Sequence, residues 1–402
     1  MSNISISDRQ SASEGQAGRG LGSTLVLAVG TFAVGTDAFV VAGFLPAMAG
    51  DLAVSTAAAG QSVTAFALAY AVLAPILATA TAALPRRGLL VSALVLLGIA
   101  NFLSAAAPDL PLLLASRVLA AAAAACYTPN AGAVSAALVR PELRGRALAV
   151  VIGGLTIATA LGVPLGHVAS QWLGWRAALS IVAGLSLAAA AGVFVFMPKL
   201  PGLPRVPIAT RLAVARRPGV LAVLPLTILG MAACYTPYAY SVTVLEAVGV
   251  HAASVTLMLF LYGAGAVGGN FLSGIATDRW GATRFLGWAY GVMAATLALL
   301  GVLAWAGTDI PPATAVLVFA WGASSWAQSP AQQHRLIAAA PQEAPLVVAL
   351  NSSAIYVGIS LGTALGGATL EAGAATVFGI GALAAAGALA FLGMTWRVGA
   401  PC

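Results

Sequence analysis

The sequence predicts an all-α membrane protein with twelve transmembrane helices in two pseudo-symmetric six-helix bundles, and three observations carry that expectation. Hydrophobic residues make up 60% of the chain and charged residues only 7%, so apolar stretches recur from one end to the other. About 18–25 such residues cross the hydrocarbon core as a helix. The breaks between stretches hold nearly every charge, with the positive charges concentrated in alternate breaks. The two halves of the chain also echo each other.

From the N-terminus, the approximate spans fall at residues 23–46, 57–80, 88–107, 110–137, 145–170, 174–197, 218–245, 252–276, 283–306, 311–338, 345–370 and 373–396. Residues 1–22, rich in Ser, Gly and Gln, read as a mobile cytoplasmic tail. The first apolar run is too long for a cleavable signal peptide and begins the spanning domain. One set of breaks carries Arg9, Arg19, Arg86, Arg87, Arg140, Arg144, Arg146, Lys199, Arg205, Arg211, Arg216, Arg217, Arg279, Arg284, Arg335 and Arg397. The other carries Asp51, Asp109, Glu246, Asp309 and Glu371, with Arg176 as its one base. The positive-inside rule then places both termini in the cytoplasm, which requires an even number of spans. The expected localisation is the inner (plasma) membrane, multi-pass.

The polar connection from Pro198 to Arg217 divides the chain. The expected organisation is a tail at 1–22, a six-helix bundle at 23–197, a cytoplasmic linker at 198–217, a second bundle at 218–397 and a short tail at 398–402. ATALGVPLG (Ala158 to Gly166) in the fifth span is echoed by GTALGGATL (Gly362 to Leu370) in the eleventh, and Thr128-Pro129 by Ser329-Pro330. Weak symmetry between six-helix halves is the signature of secondary transporters that rock one half against the other.

A net charge of +7 can signal nucleic-acid binding, but these bases are scattered among loops and form no stripe interleaved with exposed aromatics. Topology accounts for them. Cys126 and Cys234 within spans and Cys402 at the end imply neither a disulfide framework nor a metal site. An intramembrane enzyme needs clustered His, Asp, Glu or Cys near one interface, and a channel needs repeated polar rings or a filter segment; the sequence shows neither pattern. No enzyme activity, cofactor or metal is expected.

Asp37 and Arg117 stand out on physical grounds. A charged side chain at the centre of a spanning helix costs about 2.5–3.5 kcal/mol on insertion scales and usually faces a cavity or a partner. At 1.5 Å per residue, Asp37 lies about 20 Å from the cytoplasmic side and Arg117 about 10 Å below the outer face of a core about 30 Å thick, so the two share a depth. They read either as a static pair locking two helices or as a proton site, because a carboxyl holds its proton when desolvated and yields it beside a cation. His167 is a further proton-relay candidate, the alternative being a solvated or carbonyl-bonded imidazole.

In the fifth span Gly154, Ala158, Gly162 and Gly166 recur every four residues, a flat stripe that lets a neighbouring helix approach closely, while Pro164 removes one backbone hydrogen bond. In the seventh span Pro237 weakens the helix, and Tyr235 and Tyr238 fall on one face, amphipathic rings that suit a wide ligand cavity or simple packing.

Gly162, Val163, Pro164 and Gly166, followed by Gly174, Trp175 and Arg176, resemble the helix 5 antiporter motif of the major facilitator superfamily. Gly274, Asp278, Arg279, Gly281 and Arg284 resemble its loop motif. The corresponding first-half loop keeps Arg86 and Arg87, with Ala82 at the acidic position. Arg117 matches the arginine of the helix 4 motif, followed by Ala120 and Ala121 where Gln and Gly are usual. TDAFVVAGFLP (Thr36 to Pro46) is similar to the first helix of chloramphenicol-type exporters and arabinose-type sugar efflux permeases, with Ala38 set between the acid and Phe39. The resemblance covers nearly the whole chain. It implies the major facilitator fold of the twelve-helix drug/proton antiporter branch, and proton-coupled efflux of a small amphipathic compound, chloramphenicol-like, by alternating access. It also places Asn130, Gln328, Asn351 and Tyr356 on cavity-lining helices. Expected partners are a small-molecule substrate, protons and membrane lipid, with no nucleic acid, and the chain is expected to act as a monomer. Sugar or metabolite efflux, or a non-transporting receptor of the same fold, remains an alternative; a sugar site needs several convergent polar side chains, whereas the spans are dominated by Ala, Val, Leu and Gly.

Overall fold

The structure, a computed structural model, describes residues 6–140, 143–202, 207–308 and 310–395. Arg205, Asp309, Arg397, Cys402 and the tail at 398–402 lie outside the described residues, and Arg9 and Arg19 are described by backbone alone.

Eleven of the described helices are long and apolar enough to cross a membrane. With one less apolar helix they give α1 (Ile6–Val40), α2 (Thr56–Ala80), α3 (Arg86–Ala106), α4 (Leu110–Ala137), α5 (Arg144–Leu173), α6 (Trp175–Phe196), α7 (Leu224–Tyr238), α8 (Ala252–Trp280), α9 (Ala282–Ala306), α10 (Pro311–Ala339), α11 (Ala344–Thr369) and α12 (Ala374–Thr395). The less apolar one is α10, 29 residues long and carrying Ser324, Ser325, Gln328, Gln332 and Arg335. These five are buried within the bundle, so their polarity is hidden from lipid.

Boundaries differ from the sequence expectation where proline or glycine intervenes. No proline interrupts residues 6–40, and the backbone of α1 continues back to Ile6, into the segment read as a tail. At its other end α1 stops at Val40, passes through a 3₁₀ turn (Val41–Gly43) and restarts as a short helix, Leu45–Asp51, with Pro46 in its first turn. A proline ring within a continuous helix would collide with the carbonyl four residues earlier. The seventh span is likewise divided into Pro218–Leu221, α7 and Ser241–Val248, with Pro225 opening α7 and Pro237 in its last turn. Gly174 and Gly281, at the α5–α6 and α8–α9 junctions, have φ of +83° and +81°. Only glycine adopts such angles readily, which explains a Gly between each helix pair.

Packing repeats with a six-helix offset. α1 packs on α5 and α7 on α11; α3 on α6 and α9 on α12; α2 on α4 and α8 on α10. The bundles meet through α2 against α11 and α5 against α8. The glycine echo has a structural basis: Gly154, Gly162 and Gly166 lie against α1, and Gly358, Gly362 and Gly366 lie against α7. Outward faces are apolar, and Trp172, Trp280, Trp288 and Trp305 are exposed towards helix ends, as an interfacial aromatic belt requires.

Candidate functional site

The site is built where α4 brings Arg117 against the last turn of α1. Asp37 lies in that turn, just before the 3₁₀ turn. Arg117 on α4 reaches it twice: its Nη2 donates to the Asp37 carbonyl at 3.1 Å, while Nη1 pairs with Asp37 Oδ1 at 2.5 Å. The cation therefore answers both the carboxylate and the main-chain carbonyl of one residue. Asp37 is 0% and Arg117 1% exposed, so the pair is fully desolvated. Asp37 Oδ2 and Arg117 Nε are left without a protein partner.

Aromatic rings from both bundles enclose the pair. Arg117 lies over the Phe66 ring, 4.6 Å from its centroid. Phe66 and Tyr70, one turn apart on α2, meet Tyr356 of α11 at centroid distances of 6.2 and 3.7 Å, the latter stacked. Phe39, two residues after Asp37, meets Trp326 of α10 edge-on at 5.7 Å. The charge pair thus sits directly behind the aromatic contacts between the bundles.

Deeper in the second bundle, Tyr235 and Tyr238 belong to a continuous cluster. Tyr238 stacks on Tyr262 at 4.6 Å, and Tyr262 meets Trp321 edge-on at 4.8 Å. The hydroxyls of Tyr235 and Tyr238 and the Trp321 indole nitrogen are buried without partners.

The α5 stripe determines how closely α1 is held. A side chain at Gly154 would strike the Ala28 carbonyl, and one at Gly166 would strike Val40. Ala158 takes the same face, against Gly35. Pro164, lacking an N–H, frees the carbonyl of Ala160. Gly263 of α8 approaches the Ala160 backbone there, at the crossing between bundles. His167 Nδ1 bonds the Gly43 carbonyl at 2.8 Å, and its Nε2 faces the Gln171 amide nitrogen at 3.1 Å. A carbonyl oxygen can only accept, so Nδ1 carries the hydrogen of the bond to Gly43.

Residues 27–245 match the family model of the Major Facilitator Superfamily. The inner membrane transport protein YdhP of Escherichia coli (strain K12) is 33% identical over 351 residues, covering 87% of this chain and 89% of the relative. A chloramphenicol resistance protein of Streptomyces lividans is 33% identical over 352 residues, covering 86% and 88%. The chain belongs to the major facilitator superfamily. A solved structure, the crystal structure of D-xylose-proton symporter, matches this fold with a TM-score of 0.71 at 17% identity, covering 92% of this chain and 97% of that one. Major facilitator superfamily members are transporters, which sets the class of function and excludes an enzyme.

The other sequence candidates distribute unevenly over this superfamily framework. Gly274, Asp278, Arg279 and Arg284 are exposed around the α8–α9 connection, with Gly281 making its turn. Of the four cavity candidates, Tyr356 alone reaches the seam. Asn130 accepts from Arg86 at 2.6 Å, Gln328 accepts from Tyr290 at 2.9 Å, and Asn351 accepts from Thr227 at 3.0 Å. These three hold helices together within one bundle. Phe66, Tyr70, Tyr262, Trp321, Trp326 and Gly263 were not singled out in the sequence. Phe66 and Tyr70, four residues apart, had a helical-face signal; the others become visible only in three dimensions. Arg176, the one outer base, pairs with Asp51, whose Oδ2 also accepts from Trp175 Nε1 at 3.0 Å.

Proposed function

We propose that this major facilitator superfamily transporter exports a small amphipathic compound across the inner membrane in exchange for protons, alternating between states by rocking its two bundles. The carrying observation is Asp37: a fully buried acid with one free oxygen, beside Arg117 and behind the aromatic seam. Separation of the bundles would open a path from that oxygen to water, and reclosure would desolvate it, which is the switch that proton exchange needs. Both termini lie in the cytoplasm, the bundles comprise residues 23–197 and 218–397 joined by 198–217, and the chain acts as a monomer in lipid.

An apolar drug is favoured over a sugar because Asn130 and Gln328 are occupied by protein partners and Asn351 leaves only its amide nitrogen free. The rings at the seam, with the free donors of Tyr235 and Tyr238, suit an amphipathic ligand. The relative described as a chloramphenicol resistance protein supports the same direction. The test is accumulation of chloramphenicol and of D-xylose in cells expressing the chain. Chloramphenicol should be held low until a protonophore is added, with xylose unaffected. Xylose export with unchanged chloramphenicol levels would reverse the substrate assignment.

A further inference from the structure

Among the described residues, each bundle holds one buried arginine near the end where the described chain begins and finishes, and the two are treated differently. In the first bundle Arg86 donates Nη1 to Asn130 Oδ1 at 2.6 Å and Nη2 to the Ala82 carbonyl at 2.5 Å. In the second, Arg335 on α10 is 8% exposed, and neither of its terminal nitrogens has a partner. One turn earlier Gln332 gives its amide nitrogen to Tyr290 Oη at 3.0 Å, while Gln332 Oε1 is also unpartnered. Among the described residues at this end, neither of two carboxylates pairs with Arg335. Glu343 takes both terminal nitrogens of Arg217, at 2.8 and 2.5 Å, and Asp278 is exposed on α8.

A buried guanidinium without an acceptor has lost hydration and gained nothing in return. Its two parallel N–H vectors form a rigid fork that fits the paired oxygens of a carboxylate or a phosphate. We propose that Arg335 anchors a buried oxyanion site in the second bundle, beside Gln332 and Tyr290 and one turn from the end of α10. The carboxylate of a small amphipathic acid and the phosphate of an anionic lipid headgroup share this chemistry. The site is distinct from the Asp37–Arg117 pair, and equilibrium binding tests it whether or not proton exchange occurs.

The experiment uses the purified full-length protein in neutral detergent. Calorimetry compares benzoate with its neutral isostere benzamide, and thermal unfolding compares added phosphatidylglycerol with phosphatidylcholine. Wild type should bind benzoate at least about tenfold more tightly than benzamide, or be stabilised by phosphatidylglycerol alone; which arm responds identifies the source of the oxyanion. Arg335→Gln should abolish the response, and Arg216→Gln, an exposed position on the linker, should preserve it. Arg335→Lys keeps the charge without the fork and should weaken binding about tenfold, so the site stays testable where the glutamine variant does not fold. No response to either oxyanion, or an undiminished response in a folded Arg335 variant, would overturn the proposal.

Discussion

Bringing a carboxylate and a guanidinium out of water costs several kcal/mol per ion, and the mutual attraction of a good pair offsets that cost only while both are present. Arg117→Ala leaves Asp37 buried without its counter-charge and should destabilise the protein by about 3–5 kcal/mol, measured by unfolding in detergent. Arg117→Lys retains the charge but cannot hold both the carboxylate and the Asp37 carbonyl, so its cost should be nearer 1 kcal/mol. Equal losses would show that the second bond, to the Asp37 carbonyl, contributes nothing. Depth arithmetic on the sequence was enough to place Asp37 and Arg117 together. The carbonyl contact was not legible, because it depends on how α1 and α4 pack, which joins residues 80 apart in the chain. Asn130, Gln328 and Asn351 show the opposite limit. Their polarity within the membrane was plain, but whether an amide meets a ligand or another helix is decided by partners far away in the chain.

Small residues on α5 and α11 act as a graded set. At Gly154 a new methyl group meets the Ala28 carbonyl and Thr31 Oγ1, whereas at Gly162 the nearest atom is the Phe39 Cβ at 3.3 Å. Gly154→Ala should therefore cost about 1–3 kcal/mol and Gly162→Ala less than about 1 kcal/mol in the same unfolding assay. The reverse order would mean that α1 does not rest on this stripe. Gly263→Leu presses on the Ala160 backbone at the α5–α8 crossing and should cut export about tenfold or more while expression stays near wild type. Uptake and immunoblot measured together would check this, and unimpaired export would remove the crossing from the mechanism. The spacing of four exposed the stripe in the sequence. Its partner helix and Gly263 stayed hidden, because a lone glycine in an apolar span carries no periodic signal.

On the scale of the whole molecule, the bundles are closed together at the end away from the termini. Tyr240 wedges its ring against Gly60 of α2 and Gly366 and Gly367 of α11, and its hydroxyl donates to the Thr363 carbonyl at 3.0 Å. Gly367 also approaches the Ala57 carbonyl. Cysteines placed at Ala57 and Gly367 should cross-link under oxidation and stop export, with recovery on reduction; export that continues through the cross-link would rule out opening at this seam. The arrangement of twelve helices in two bundles was readable from apolar length, the arginine asymmetry and the glycine echo, since each is a local pattern that repeats. Which helices join the bundles was not, because contacts of α2 with α11 and α5 with α8 join segments distant in sequence.

The central claim is that Asp37 carries the exchanged proton. Its most direct test is proton flux driven by a chloramphenicol gradient in proteoliposomes of wild type, Asp37→Asn and the double variant Asp37→Asn, Arg117→Gln. Flux should appear with wild type and vanish with Asp37→Asn, which should still bind chloramphenicol because the amide mimics the protonated acid without releasing a proton. The double variant should fold and remain uncoupled. Chloramphenicol-driven proton flux restored in that double variant would contradict the account and leave Asp37 and Arg117 as a structural pair.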